Sequence, residues 1–159
     1  DCMAEYIWYF AYGSNLDPDR FSDRVGPWIE LKKAALMDYS LRFCGDVNAE
    51  GGGGAIIQYK PADVVQGAIY KISMAQIQQM DEAEFHSEVD SNKVGIRKTI
   101  TVMADDEAVN AEVYTISNPK TYKQPSEKYL GHILTGLKAV GYPQNVIRRV
   151  ESIAESEPK

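Results

Sequence analysis

The chain has 159 residues, of which 44% are hydrophobic and 25% charged, a balance typical of a globular protein. Its net charge of −6 argues against nucleic acid or an anionic membrane surface as a partner, and no apolar segment reaches transmembrane length. The two cysteines give neither a disulfide framework nor a metal motif, so a reducing cytoplasm is the expected location. We expect one domain over residues 1–159, with its core at about 6–153 and no metal site.

The first predicted element is a strand through the aromatic-rich residues 6–12. It breaks at Gly13, and a helix is predicted to begin directly afterwards, with Asp17 as N-cap and Pro18 at the first helical position. Residues 13–16, which we call the Gly13 loop, therefore lie where a strand end meets a helix N-terminus. Unpaired backbone N–H groups collect at such a junction and favour an anion or oxyanion. Gly13 would permit the sharp turn and the approach of a ligand to the backbone.

Most of the remaining first two thirds of the chain has the composition of β-strands. The four glycines at 51–54 predict a flexible hairpin loop, since they precede a strand and lack the Lys-Ser or Lys-Thr of a phosphate-binding loop. Successive strands with few helices between them indicate an α+β fold built on a largely antiparallel sheet or barrel. The predicted strands cover residues 31–44 (long or bent), 55–59, 64–72 (joined to the previous one around Pro61), and a hairpin of 96–103 and 111–116 with Asp105-Asp106-Glu107 at its turn.

Three further helices are predicted, at about residues 74–84, 127–140 and 143–153. The first follows a capping box that begins at Ser73. The second has Ser126 as a potential N-cap, and a glycine that can end it at position 141.

Glu84 is the acidic residue that helical geometry singles out. Successive residues of an α-helix turn by about 100°, so Ile77, Met80 and Glu84 share one face and Asp81 lies near its edge. A carboxylate on an inward face is costly unless it is paired, hydrogen-bonded or protonated, and burial would raise its pKa towards a range useful for proton transfer. The pattern alone also allows a structural role, with Glu84 at the helix end or paired with Arg97.

Other polar residues point less clearly to chemistry. Ser14 is not in a Gly-x-Ser-x-Gly elbow, so a turn residue that binds through its N–H or hydroxyl is the expected role. His86 is interpreted as a solvated loop residue or a residue lining a site near Glu84. His132, within a predicted helix, is interpreted as structural.

Three blocks of the chain resemble the γ-glutamylcyclotransferase family. They are the octapeptide YFAYGSNL at residues 9–16, MDEAE at 80–84, and PSEKY at 125–129 followed by a helix that ends in GYP at 141–143. Their order and spacing match across about residues 7–150. The resemblance implies a small, mixed, largely antiparallel barrel, closed or nearly closed and flanked by helices.

The resemblance also implies an activity: a γ-glutamyl amino acid, peptide or amine is cyclised to 5-oxoproline and the amine is released. Glu84 matches the catalytic glutamate of the family and would act as general base and then acid. Backbone N–H groups from Tyr12 to Leu16 (through Gly13, Ser14 and Asn15) would bind a carboxylate or the oxyanion. Tyr114 and Tyr129 match substrate-site tyrosines. No cofactor is implied, and a homodimer is possible.

The chain departs from the family pattern after Glu84. Phe85 replaces a glycine, residues 85–95 differ throughout, and a tyrosine is missing where Gly95-Ile96-Arg97 stands. Arg97 is interpreted either as a donor to a substrate carboxylate or as a partner of Glu84 or Glu88. The departures leave the substrate open, together with two alternatives: a non-catalytic small-molecule binding module on the same fold, and a hydrolase that releases glutamate.

Overall fold

The computed structural model describes residues 5–45, 51–85, 95–116 and 121–156, and for residues 84, 85 and 95 it describes the place in a helix or strand but not the side chain. Within these ranges it has five strands, four α-helices and one 3₁₀ turn, Ser14–Leu16. The strands are β1 (Tyr6–Ala11), β2 (Glu30–Cys44), β3 (Gly54–Ser73), β4 (Gly95–Ala104) and β5 (Glu107–Ile116). The helices are α1 (Pro18–Val25), α2 (Met74–Phe85), α3 (Glu127–Ala139) and α4 (Gln144–Glu155).

The strands form a closed barrel in the order β1-β3-β2-β4-β5. Neighbouring strands are antiparallel except where β1 meets β5 in parallel, with Tyr9 opposite Glu112, and this contact closes the barrel. Closing a sheet into a barrel is one way in which β-proteins avoid edge-to-edge association. The predicted α+β fold with a mixed, largely antiparallel barrel is therefore confirmed.

One strand prediction is wrong: the two strands expected on either side of Pro61 are a single 20-residue strand, β3. The register against β2 moves from Met37 opposite Val64 to Tyr39 opposite Tyr59, so residues 60–63 bulge out opposite Asp38. Proline cannot donate to a strand ladder, and the bulge places it where no such bond is needed. The Asp38 carboxylate accepts a hydrogen bond from the Ala62 N–H (3.0 Å) and secures the bulge.

The predicted hairpin is present and is longer than expected, because β5 begins at Glu107. The two linking residues, Asp105 and Asp106, both have positive φ (51° and 64°), as a two-residue turn compatible with the strand twist requires. This turn sets the register that places Arg97 opposite Tyr114.

The predicted helix starts are confirmed at three positions. The Asp17 carboxylate accepts from the Asp19 N–H (3.1 Å) and caps α1, and Ser126 Oγ accepts from the Tyr129 N–H (3.1 Å) and caps α3. At α2 the capping box is reciprocal, between Ser73 and Gln76. Among the described residues, none of the helices has the length and apolar character needed to cross a lipid bilayer.

The glycine run was predicted as a flexible loop, whereas the structure packs its second half tightly against the segment before α3. A Cβ on Gly53 would lie 1.8 Å from the carbonyl oxygen of Lys123, and the Gly53 N–H donates to the Gln124 carbonyl (2.9 Å). Glycine is needed there because two backbones approach closely. This contact brings the first residues of β3 beside the N-terminus of α3.

Candidate active site

The Gly13 loop is buried and hydrogen-bonded to the barrel wall. Leu16 is fully buried, and Ser14 and Asn15 are only 8% and 7% exposed. The Tyr70 hydroxyl, on β3, donates to the Asn15 carbonyl (2.8 Å), while Asn15 Nδ2 donates to the Tyr9 hydroxyl (3.1 Å). Two tyrosines of adjacent strands thus fix the backbone and the side chain of Asn15.

The start of the 3₁₀ turn carries two backbone amide groups that make no hydrogen bond within the described residues. The Leu16 N–H donates to the Gly13 carbonyl and the Asp17 N–H to the Ser14 carbonyl. Within the described residues, the N–H groups of Ser14 and Asn15 have no protein acceptor, as expected for the first residues of a helical turn. The arrangement can donate hydrogen bonds to a carboxylate or a developing oxyanion.

Helix α3 presses one face against the Gly13 loop. Tyr129, His132 and Gly136 follow one another at helical spacing on that face. His132 Nδ1 lies 2.8 Å from Asp17 Oδ2, which agrees with the structural interpretation of this histidine. A Cβ on Gly136 would lie 2.2 Å from the carbonyl group of Leu16, so the helix and the loop are in backbone contact.

Gly13 lies close to the Tyr129 hydroxyl, so an added side chain would make a tight contact there. Its φ of −108° is accessible to other residues. The value of φ therefore does not support the expectation that the turn depends on the conformational freedom of glycine. A Cβ on Gly13 would instead lie 3.3 Å from the Tyr129 hydroxyl and 3.5 Å from Ala55 Cβ. That hydroxyl accepts a hydrogen bond from the Ala55 N–H (3.0 Å), which keeps it beside the loop.

The structure links Tyr12 and Tyr114 directly, and connects both to α2. The buried Tyr12 hydroxyl donates to the Tyr114 carbonyl (2.7 Å). The Tyr114 hydroxyl donates to Asp81 Oδ1 (2.6 Å) and lies 3.2 Å from the Ile77 carbonyl oxygen. Burial, followed by the neighbouring Asp81 carboxylate, raises the pKa of Tyr114 above its ordinary value. This hydroxyl therefore remains protonated near neutral pH and donates its hydrogen to Asp81.

Arg97 lies between two carboxylates. Its Nε is 2.9 Å from Asp81 Oδ1 and its Nη1 is 3.0 Å from Glu112 Oε1, and its side chain is 26% exposed. The partners proposed from sequence were Glu84 and Glu88, whereas those described are Asp81 and Glu112. Asp81 links Arg97 to the Tyr114 hydroxyl, so the described contacts of Arg97 favour an ion-paired structural role.

The α2 face predicted to be inward is buried at Ile77 and Met80. Glu84 occupies the penultimate position of this helix, and its side chain lies outside the described residues. Residues 86–94, with His86 and Glu88, are likewise outside them. The described ranges contain no group of three or more His, Cys, Asp or Glu side chains placed to hold a metal ion.

Sequence reasoning missed the polar network around Tyr114. Paired residues of a hairpin lie on one face, as do residues two apart in a strand, so Arg97, Tyr114 and Glu112 share a face once the turn is known. The Asp-Asp turn was the signal that could have revealed them. The supporting tyrosines Tyr9 and Tyr70 carried no comparable signal, because their roles depend on the packing of the loop.

Comparison with known proteins places the chain in a family. A family model described as the AIG2-like family matches residues 64–150. The chain belongs to the AIG2-like family. The γ-glutamylcyclotransferase of Mus musculus is 28% identical over 163 aligned residues, which cover 98% of this chain and 83% of the mouse protein. The relationship to γ-glutamylcyclotransferases inferred from the three sequence blocks is thereby confirmed.

Two solved structures are similar to this chain over nearly its whole length. A human protein described as uncharacterized protein loc79017 matches with a TM-score of 0.83 and 27% identity, covering 98% of this chain and 92% of that one. A γ-glutamyl cyclotransferase matches with a TM-score of 0.80 and 27% identity, covering 98% and 90%. The similarity therefore includes the Gly13 loop, the barrel and α3 together.

Proposed function

We propose that this protein is a γ-glutamylcyclotransferase that cyclises a γ-glutamyl amino acid, peptide or amine. The observation that carries the proposal is the Gly13 loop, whose unpaired Ser14 and Asn15 N–H groups lie on a backbone fixed by Tyr70 and α3. Rigid donors of this kind stabilise a developing oxyanion without reorganisation during the reaction. Relatives that match over nearly the whole chain and are named γ-glutamylcyclotransferases supply independent support.

In the proposed reaction the substrate is its own nucleophile. The α-amine nitrogen attacks the γ-carbonyl carbon and forms the ring C–N bond. The C–N bond to the leaving amine then breaks, and the proton lost by the attacking nitrogen is delivered to the leaving nitrogen. No water or oxidant is consumed. Holding the chain folded for ring closure supplies proximity, since a well-oriented intramolecular attack avoids the entropic cost of bringing two molecules together.

We assign the proton transfers to Glu84. It is the position that matches the catalytic glutamate of the family, and it follows two buried residues of the same α2 face by helical spacing. Tyr12, the Gly13 loop, Tyr114 and Tyr129 would bind the γ-glutamyl group. The Tyr114 hydroxyl donates to Asp81 and can accept a hydrogen bond from a substrate N–H, and Tyr129 adjoins Gly13.

The experiment compares Glu84→Gln with Glu82→Gln, an exposed residue of the same helix, on a panel of γ-glutamyl compounds. Release of 5-oxoproline is measured together with the melting curve. Because an amide cannot accept the amine proton, Glu84→Gln should lose about 10²–10⁴ in rate with an unchanged fold, and Glu82→Gln should resemble the wild type. If the activity of Glu84→Gln were within a few-fold of the wild type, the assignment of the proton transfers to Glu84 would be wrong. Binding without 5-oxoproline would identify the binding module, and release of glutamate the hydrolase.

A further inference from the structure

A cavity of about 300 Å³ lies between α1 and α2, on the Asn15 side of the Gly13 loop. Its floor is apolar, with the buried Phe21 and Met80 as the deepest residues. Val25 of α1 and the exposed Ala83 of α2 form the walls. The volume is at the small end of the range for ligand sites and suits a single side chain rather than a whole peptide.

The two helices that enclose the cavity are held at a defined separation. Gln76 Nε2 donates to the Val25 and Pro27 carbonyls (3.0 and 2.7 Å), and Gln79 Nε2 donates to the Arg24 carbonyl (3.0 Å). These bonds satisfy carbonyls at the C-terminal end of α1 and link it to α2. Hydrogen bonds between α1 and α2 therefore define the width of the cavity.

Arg24 supplies a positive charge at the rim. Its Nη1 lies 3.4 Å from Asn15 Oδ1, so the guanidinium extends from α1 towards the Gly13 loop. A guanidinium has five N–H donors and can bind a carboxylate while retaining other contacts. The apolar floor and the cationic rim together match an α-amino acid with an apolar side chain.

The cavity also adjoins both parts of the proposed machinery. Asn15 belongs to its wall and to the Gly13 loop, while Ala83 directly precedes Glu84 in α2.

We propose that this cavity is the subsite for the leaving amine: an apolar side chain fills the space above Met80, and the leaving group's carboxylate pairs with Arg24. The inference rests on the proposed γ-glutamyl cyclisation and specifies its substrate class. The chain would then act preferentially on γ-glutamyl derivatives of apolar amino acids.

Three substrates separate the two elements of this subsite. They are γ-glutamyl-leucine, γ-glutamyl-glycine (no side chain) and γ-glutamyl-isopentylamine (the leucine side chain without its carboxylate). Wild-type kcat/KM should be about tenfold or more higher for the leucine than for the glycine compound, since even one methylene in an apolar site discriminates by about tenfold or more. The γ-glutamyl group is common to all three, so ratios between them report the leaving-group side alone.

Two variants test the subsite, each against a matched control. Ala83→Leu fills the cavity and should reduce the leucine-to-glycine ratio about tenfold, whereas Ala75→Leu, at another exposed position of α2, should preserve it. Arg24→Gln should lower kcat/KM about tenfold on both amino-acid substrates and spare the isopentylamine compound, whereas Arg148→Gln on α4 should change none. An unchanged ratio in Ala83→Leu, or equal losses on all three substrates in Arg24→Gln, would overturn the proposal.

Binding of the product makes the subsite testable apart from turnover. If the wild type releases 5-oxoproline from none of the three compounds, the proposed function fails, and free leucine then decides the subsite. Leucine should shift the NMR resonance of the Met80 methyl group in the wild type and in Ala75→Leu, but not in Ala83→Leu. Absence of a leucine-dependent shift in the wild type would contradict the subsite whatever the enzyme assay gives.

Discussion

Arg97 shows how much the role of one residue depends on its neighbours. A guanidinium between Asp81 and Glu112 neutralises two carboxylates on adjacent elements, α2 and β5, and Asp81 in turn accepts from Tyr114. Removing a partly buried charge of this kind leaves two carboxylates without their shared cation, although the hydroxyls of Tyr114 and Thr99 still donate to them. The arginine thus stabilises the α2 surface that carries Asp81.

We expect Arg97→Gln to lower the free energy of unfolding by about 1–3 kcal/mol. It should reduce kcat/KM by the same factor on γ-glutamyl-leucine and on γ-glutamyl-isopentylamine, because the effect passes through Asp81 and Tyr114. Urea denaturation and the two assays measure this, with Lys98→Gln on the same strand as control. A loss confined to the leucine compound would show that Arg97 binds the substrate carboxylate directly.

At the scale of elements, the site is made by three pieces that meet at the Gly13 loop: the barrel wall at Tyr70, the helix α3, and the start of β3 at Ala55. At Gly136 the backbone of α3 lies directly against the backbone of Leu16, so little adjustment is possible there. Protein interiors are close-packed, and an added methyl group in such a contact displaces one of the two elements.

Two glycines of α3 test this contact. A Cβ at Gly136 would lie 2.2 Å from Leu16, whereas at Gly131 it would meet nothing within 4 Å. Gly131→Ala should stabilise the protein by about 0.5–1 kcal/mol through helix propensity. Gly136→Ala should instead destabilise it by about 1–3 kcal/mol and impair turnover by shifting the loop. Thermal melts and kcat/KM of both variants measure these effects. If the two variants behaved alike, the proposed importance of the contact between Gly136 and Leu16 would be refuted.

At the scale of the whole molecule, the segment between α3 and α4 is fastened to the barrel by Tyr142. Its hydroxyl donates to the Gly67 carbonyl (2.7 Å) and lies 3.0 Å from the Ala34 carbonyl oxygen. Those two residues are paired between β3 and β2. One hydroxyl therefore connects the helices that support the Gly13 loop to two strands of the barrel.

This attachment should be sensitive to alkaline pH. Burial raises the pKa of Tyr142 from 10.0 to about 12. Because the folded-state pKa is the higher one, the stabilisation is fully present below pH 10 and is lost as the pH rises through 12. Tyr142→Phe should therefore be less stable than the wild type at pH 7, and the difference should shrink by at most about 2–3 kcal/mol between pH 10 and 12. Urea denaturation across this range measures the difference, and a constant difference would contradict the assignment.

Features that depend on short stretches of chain were determined by the sequence. The caps at Asp17, Ser73 and Ser126, the hairpin turn at Asp105 and the inward face of α2 all follow from local hydrogen bonding and side-chain periodicity, which act over a few residues. The order of the three motif blocks also identified the family, and with it the closed barrel.

Only the tertiary structure decided the contacts between distant segments. The continuity of β3 past Pro61, the backbone approach of Gly136 to Leu16, the two carboxylates around Arg97 and the cavity beside Arg24 each join residues far apart in sequence. Such contacts depend on strand register and on how the barrel closes, and the same local pattern is compatible with several registers. Local sequence patterns were therefore sufficient to predict the Gly13 loop. The residues that pack around the loop depend on how the barrel closes.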